Sequence, residues 1–261
     1  MKKDVKLAGK IWEIIYPVAM YYVTIVIVMF CAQLIFGAGN ETYTLCKIIG
    51  SLAALVVVWS YYRQDLDLAG KLGRKFRFSK GVLINVLWTI GITICISVAL
   101  NNIITMSPMM HMSENYDDAA GAFYGTNIWL ELIGLALITP ILEEMLHRGV
   151  VYKRLRNMTG KWMSLLVSAL IFACLHFNLV QFTYAFLLGI VFALFMEKTD
   201  RLIYPVLAHM IANTIAVIRT ETGFLEATVD GSIFAWSISI VLLMIGVGGI
   251  VAFCICTTRK E

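Results

Sequence analysis

"ITPILEEMLHRGVVYKRLR", residues 138–156, is the stretch on which the reading of this chain turns. An apolar run here reaches Glu143, Glu144, His147 and Arg148 within six positions, then becomes basic at Lys153, Arg154 and Arg156. In a soluble amphipathic helix these charges would need no explanation. The rest of the chain rules that setting out. Of 261 residues, 60% are hydrophobic and 15% charged, with a mean hydropathy of +0.81, whereas soluble domains carry about 25% charged residues. Apolar runs close to the ~20 residues that carry a helix across ~30 Å of hydrocarbon recur throughout. An ionisable side chain in such a span costs at least ~2.5 kcal/mol, so two adjacent carboxylates require a function.

Working outward, eight spans are expected, at about 12–36, 43–62, 81–104, 127–149, 162–177, 180–197, 202–219 and 232–256. The first is too long for the apolar core of a signal peptide and has no small-residue cleavage site, so it reads as a retained span. The connecting segments alternate in charge. Lys2, Lys3, Lys6 and Lys10 precede the first span; segment 63–80 holds six Lys or Arg, segment 148–161 five, and Lys198, Arg201, Arg259 and Lys260 follow. Segment 105–126 has none, but carries Glu114, Asp117 and Asp118. Thus 19 of the 21 basic residues fall on one side, all but Lys47 and Arg219. The positive-inside rule then puts both termini in the cytoplasm, in an all-α, eight-span protein forming a single integral-membrane domain over 1–261. The same asymmetry accounts for the net charge of +4 without nucleic acid. The six cysteines lie in apolar runs and lack metal-knuckle spacing, so they read as small apolar residues rather than disulfides or ligands. Segment 105–126 reads as mostly loop, with room for a short surface helix.

The ionisable residues expected inside the spans are few: Glu143, Glu144, His147, Arg148, His176 and His209, with Asn213 as a polar neighbour. Glu144 and Arg148 are four apart, as are His209 and Asn213, so each pair shares a helix face. Residues 143 and 176 are equidistant from the turn "NMTGK" at 157–161, so a hairpin of the fourth and fifth spans sets Glu143 opposite His176. Glu143 lies five residues from Arg148 and His209 eight from Arg201. At 1.5 Å per residue this predicts a site about 8–12 Å below the cytoplasmic face. His176 fits that depth if the 149–168 hairpin projects from the membrane and the fifth span turns within it at "HFNLVQ", residues 176–181. His147 is expected to reach the cytoplasmic interface beside Arg148, and Phe172 to pack around the site.

"EEMLHRG", "FACLH" (172–176) and "HMIAN" (209–213) resemble, in order, the E-E-x-x-x-R, F-x-x-x-H and H-x-x-x-N motifs of the CAAX protease and bacteriocin-processing family. These are intramembrane endopeptidases related to the type 2 CAAX prenyl protease. The resemblance covers about 127–219, which reads as the catalytic core. His147 departs from it, standing where the family commonly has an aromatic residue. The resemblance implies hydrolysis of a peptide bond in a membrane-associated protein or peptide, of CAAX type or of bacteriocin or pheromone type. A carboxylate in an apolar cavity is suited to take a proton from water. Glu143 is expected to do so with His176, while His209 and Asn213 stabilise the oxyanion. Glu144 and Arg148 support the helix. The sequence favours no obligatory cofactor. It leaves open a divalent metal such as zinc, with Glu143, His176 and His209 as ligands. Two other classes compete: a silent scaffold or bacteriocin self-immunity protein, and a proton-coupled transporter. The transporter is disfavoured because the polar residues have no counterpart in the first half of the chain. The expected location is the bacterial plasma membrane, with the site toward the cytoplasm.

Overall fold

The computed structural model describes residues 2–37, 39–73, 78–113, 121, 124–176 and 178–257. The basic residues at 74, 75 and 77, the acidic cluster Glu114, Asp117 and Asp118, and Arg259 and Lys260 lie outside these. Eight helical runs follow the eight expected spans. They are α1 (Lys2–Phe36), α2 (Asn40–Leu68), α3 (Lys80–Met106), α4 (residues 128–158), α5 (Lys161–Cys174), α6 (Leu179–Thr199), α7 (Ile203–Thr222) and α8 (Ile233–Cys256). A single helical turn, Met109–Met112, follows α3. Six runs are long and apolar enough to cross a membrane: α1, α2, α3, α6, α7 and α8. The structure is that of a multi-pass membrane protein, with no strand among the described residues.

α4 and α5 are the unusual pair. α4 alternates α-helix with two π-helical segments, Leu132–Ile138 and Met145–Val151, which flank the short α-helical stretch Thr139–Glu144. α5 has 14 residues, about 21 Å at 1.5 Å per residue, too short for a ~30 Å core. It stops at Cys174, and the next helix begins at Leu179, within the stretch "HFNLVQ". Asn178 caps α6 by accepting from the Gln181 N–H at 2.8 Å. The Leu175 carbonyl at this turn accepts from the Tyr22 hydroxyl at 3.1 Å. Buried irregular backbone persists in such surroundings only where its polar groups are satisfied in this way.

Among the described residues, the two largest apolar clusters form most of the interior. α1, α2 and α4 interlock through Ile14, Ala54, Val58, Leu142, Leu146 and Val151. α3, α6, α7 and α8 interlock through Ile92, Ile96, Phe192, Phe195, Ala208 and Phe253. Gly246 has no side chain because Ile96 Cγ1 lies 2.4 Å from where its Cβ would stand, which lets α8 lie directly on α3. Close approach over small residues is a general way for helices to associate where there is no hydrophobic drive between them.

At the basic ends, charges cross between helices. Arg154 grips Asp65 through two bonds of 2.9 and 3.0 Å and donates to the Glu13 carbonyl at 2.5 Å. Arg156 pairs with Glu197 at 3.3 Å, and the Tyr152 hydroxyl donates to Glu197 at 2.5 Å. Lys71 and Lys153 both bind Asp200. The basic segment after Arg148 is therefore a clamp as well as a topological signal. Burial alone would push the Asp200 carboxyl up, but the Lys153 and Lys71 ammonium groups outweigh it and hold it below its usual value. A depressed folded value means stability present above the unfolded pKa, near 4, and lost as pH falls through the folded one. Wild type should accordingly lose more melting temperature between about pH 5 and pH 3 than Asp200→Asn, in which this contribution is absent at every pH.

Candidate active site

One cavity of about 620 Å³ lies in the seam between the two clusters. Glu143, His147, Phe172, His176, His209 and Asn213 all line it, from three elements that the sequence separates by up to 70 residues. The π segments give α4 its contribution. An extra residue per turn shifts side chains around the axis, a local distortion frequent at functional sites, and here it brackets Glu143 on both sides.

Glu144 faces away from the cavity. Its Oε1 accepts from Arg148 Nη1 at 2.7 Å and from His209 Nδ1 at 2.8 Å. Glu144 and Arg148 are both fully buried. Arg148 also donates to the Gly189 carbonyl at 3.0 Å and lies over the Phe172 ring at 4.6 Å. The i,i+4 pairing is as its spacing suggested. The bond to His209 was not foreseen, because nothing local marks a contact across 65 residues.

That bond fixes the imidazole. With Nδ1–H committed to Glu144, His209 turns Nε2 toward Glu143, 3.8 Å from its Oε2, and Phe192 stacks on the ring at 5.2 Å. His176 is set in the same way: Nδ1 bonds the Phe172 carbonyl at 3.1 Å, leaving Nε2 for the cavity. Phe172 stands at the hub, with ring centroids of His147, His176 and His209 at 5.0, 5.0 and 5.6 Å. Asn213 donates through Nδ2 to the Leu135 carbonyl at 2.8 Å. One amide hydrogen thus ties α7 to the first π segment and the second remains.

One expectation is corrected. His147 does not reach an interface: it is fully buried, with Nδ1 bonded to the Glu143 carbonyl at 2.8 Å. Arg148 is interior to the protein, and α4 runs on past it to Met158. Beyond Glu143 the lining continues through Tyr43 and Lys47 of α2, Asn101 and Thr105 of α3, Met110, Tyr124, and Val217 of α7. These are the helix ends away from the basic segments. Toward the basic ends the cavity stops at Tyr21, His147, Phe192 and His209.

Zinc is not supported by the donor set. Among the described residues, no three His, Cys, Asp or Glu side chains come together so as to hold a metal ion. Sequence reading also missed Tyr21, whose hydroxyl lies 3.5 Å from Glu143 Oε1, and Tyr22. Two adjacent tyrosines midway along an apolar span were the available signal.

Residues 125–215 match the family described as type II CAAX prenyl endopeptidase, Rce1-like. Over this segment the chain is similar to that family. "Putative membrane peptidase YdiL" of Bacillus subtilis is 32% identical over 89 residues, 34% of this chain and 36% of that protein. The membrane-embedded CAAX protease MroQ of Staphylococcus aureus is 32% identical over 90 residues, 32% of this chain and 36% of its own. The alignments therefore span about a third of these two relatives. A wider match, 25% identical over 202 residues, covers 73% of this chain and 87% of an uncharacterised 24.3 kDa protein of Escherichia coli. No solved structure matches the chain.

Proposed function

We propose that this chain is an intramembrane endopeptidase acting on a membrane-associated protein or peptide, with residues 127–219 as the catalytic core of a single membrane domain. The observation that carries the reading is the placement of the Glu143 carboxylate beside His209 Nε2, in one cavity with His176, while Glu144 holds His209 from behind. A water between Glu143 and His176 Nε2 donates one hydrogen to each. Glu143 takes a proton as the oxygen attacks the scissile carbonyl. His209, oriented through Nδ1 by Glu144, presents Nε2 to the developing oxyanion, which accepts the remaining Asn213 amide hydrogen. Glu143 then returns its proton to the leaving amine. Glu144 plays the part of a carboxylate that orients a catalytic imidazole. No step of this reading calls for a metal.

The relatives named as membrane peptidases support hydrolysis, and their bacterial sources support a bacterial plasma membrane. The positive-inside rule assigns the basic ends to the cytoplasm, and the cavity lining extends from Glu143 toward the opposite ends of the helices. The chemistry is tested by comparing peptides released from membranes carrying wild type or Glu143→Gln: fragments should appear with wild type alone. Orientation is tested with reporters fused after residues 75, 155 and 261, which should read cytoplasmic, and near 115, which should read external. A cytoplasmic reading at 115 would overturn this orientation.

A further inference from the structure

The segment that matches the peptidase family begins at residue 125, so α1 lies outside it. Yet α1 reaches the reacting carboxylate. Tyr21 and Tyr22 stand midway along this helix, and successive helical positions point about 100° apart, so the two rings serve different neighbours. The Tyr21 hydroxyl lies 3.5 Å from Glu143 Oε1. The Tyr22 hydroxyl donates to the Leu175 carbonyl at 3.1 Å, immediately before His176. The two rings brace one another edge to face, with centroids 5.4 Å apart and planes at 87°. Tyr21 is buried and shares an apolar cluster with Leu142, Met145 and Leu146 of α4, on either side of Glu143 in sequence. One helix therefore contacts both residues to which the water is assigned, Glu143 directly and His176 through the backbone that carries it.

An isolated carboxylate has two equivalent oxygens and a soft terminal torsion. At Glu143 the surroundings make the oxygens different. Oε1 faces the Tyr21 hydroxyl, and Oε2 faces His209 Nε2 at 3.8 Å. A phenol can donate, and its bond to an ionised carboxylate is charge-assisted. A separation of 3.5 Å is long for such a bond, as catalytic hydrogen bonds often are before substrate is bound. We infer that Tyr21 is a positioning residue for the reaction: it donates to Glu143 Oε1, fixes the plane of the carboxylate, and leaves Oε2 as the oxygen that takes the proton from water and returns it to the leaving amine. This rests on the endopeptidase reading for the proton transfer, but not for the hydrogen bond.

The test pairs infrared spectroscopy with kinetics on the purified full-length chain in nanodiscs. The carboxyl band of Glu143 is the one that Glu143→Gln removes. Tyr21→Phe should move that band, and Tyr22→Phe should leave it in place. Ring-fluorinated tyrosine at position 21, a stronger donor, should move it in the opposite direction. In cleavage assays Tyr21→Phe should lower kcat about tenfold, the equivalent of one hydrogen bond to a charged group, with KM and melting temperature unchanged. A residue that only packs would show neither the band shift nor a selective loss of kcat. A Glu143 band at the same position in all these proteins overturns the assignment, as does full kcat in Tyr21→Phe. If Tyr21→Phe does not fold, the fluorinated protein decides by the same band. Cleavage that survives Glu143→Gln would sink the endopeptidase chemistry, whereas the band shift would still report the Tyr21 bond, so the two failures are told apart.

Discussion

Glu143→Gln should fold like wild type and lose peptide cleavage by roughly 10²–10⁴-fold, the range expected when a general acid–base group is removed. The structure explains why the two effects separate. Glu143 is only partly buried, and its contacts are long: Tyr21 Oη at 3.5 Å and His209 Nε2 at 3.8 Å. An amide of the same shape keeps the packing and still accepts a bond from Tyr21. It cannot take a proton from water, so the nucleophile is not formed. The melting temperature should stay within experimental error of wild type. A variant that retains cleavage would remove Glu143 from the chemistry.

Glu144→Gln, one residue on, should fail in the opposite order. Glu144 and Arg148 are fully buried, and the Glu144 carboxylate is the charged partner of the guanidinium. Removing one member of such a pair leaves an uncompensated charge and costs ~3–5 kcal/mol, a fall in melting temperature on the order of 10 °C for a chain of this size. Cleavage should fall too, because His209 loses the acceptor that sets its orientation at 2.8 Å. A double substitution, Glu144→Gln with Arg148→Met, removes the unpaired charge and should recover part of the stability without recovering activity. Thermal unfolding of the four proteins, with cleavage measured alongside, separates the contributions. Equal melting temperatures for Glu143→Gln and Glu144→Gln would contradict the division of labour between the adjacent carboxylates.

The helices were legible because their residues are uniformly apolar over spans of membrane length, and Glu144–Arg148 because i,i+4 neighbours share a face. The turn at residues 176–181 followed from the mismatch between the depth of His176 and that of Glu143. Three features had no local signature. The π segments at 132–138 and 145–151 are apolar stretches like any other in the chain. The Glu144–His209 bond depends on how α7 packs against α4. The burial of Arg148 was not legible because an arginine near the end of an apolar run looks interfacial, and nothing in the sequence places the Gly189 carbonyl or Phe172 ring around it. The same error put His147 at the surface.

The central claim is that one water, held by Glu143 and His176 in this cavity, is added across a peptide bond. The direct measurement is mass spectrometry of a peptide library incubated with the purified protein in nanodiscs, in heavy-oxygen water and with chelator present. The account predicts new C-termini that each carry one solvent oxygen with wild type, and no new termini with Glu143→Gln. New termini in equal yield from both proteins, or none from wild type, would contradict it.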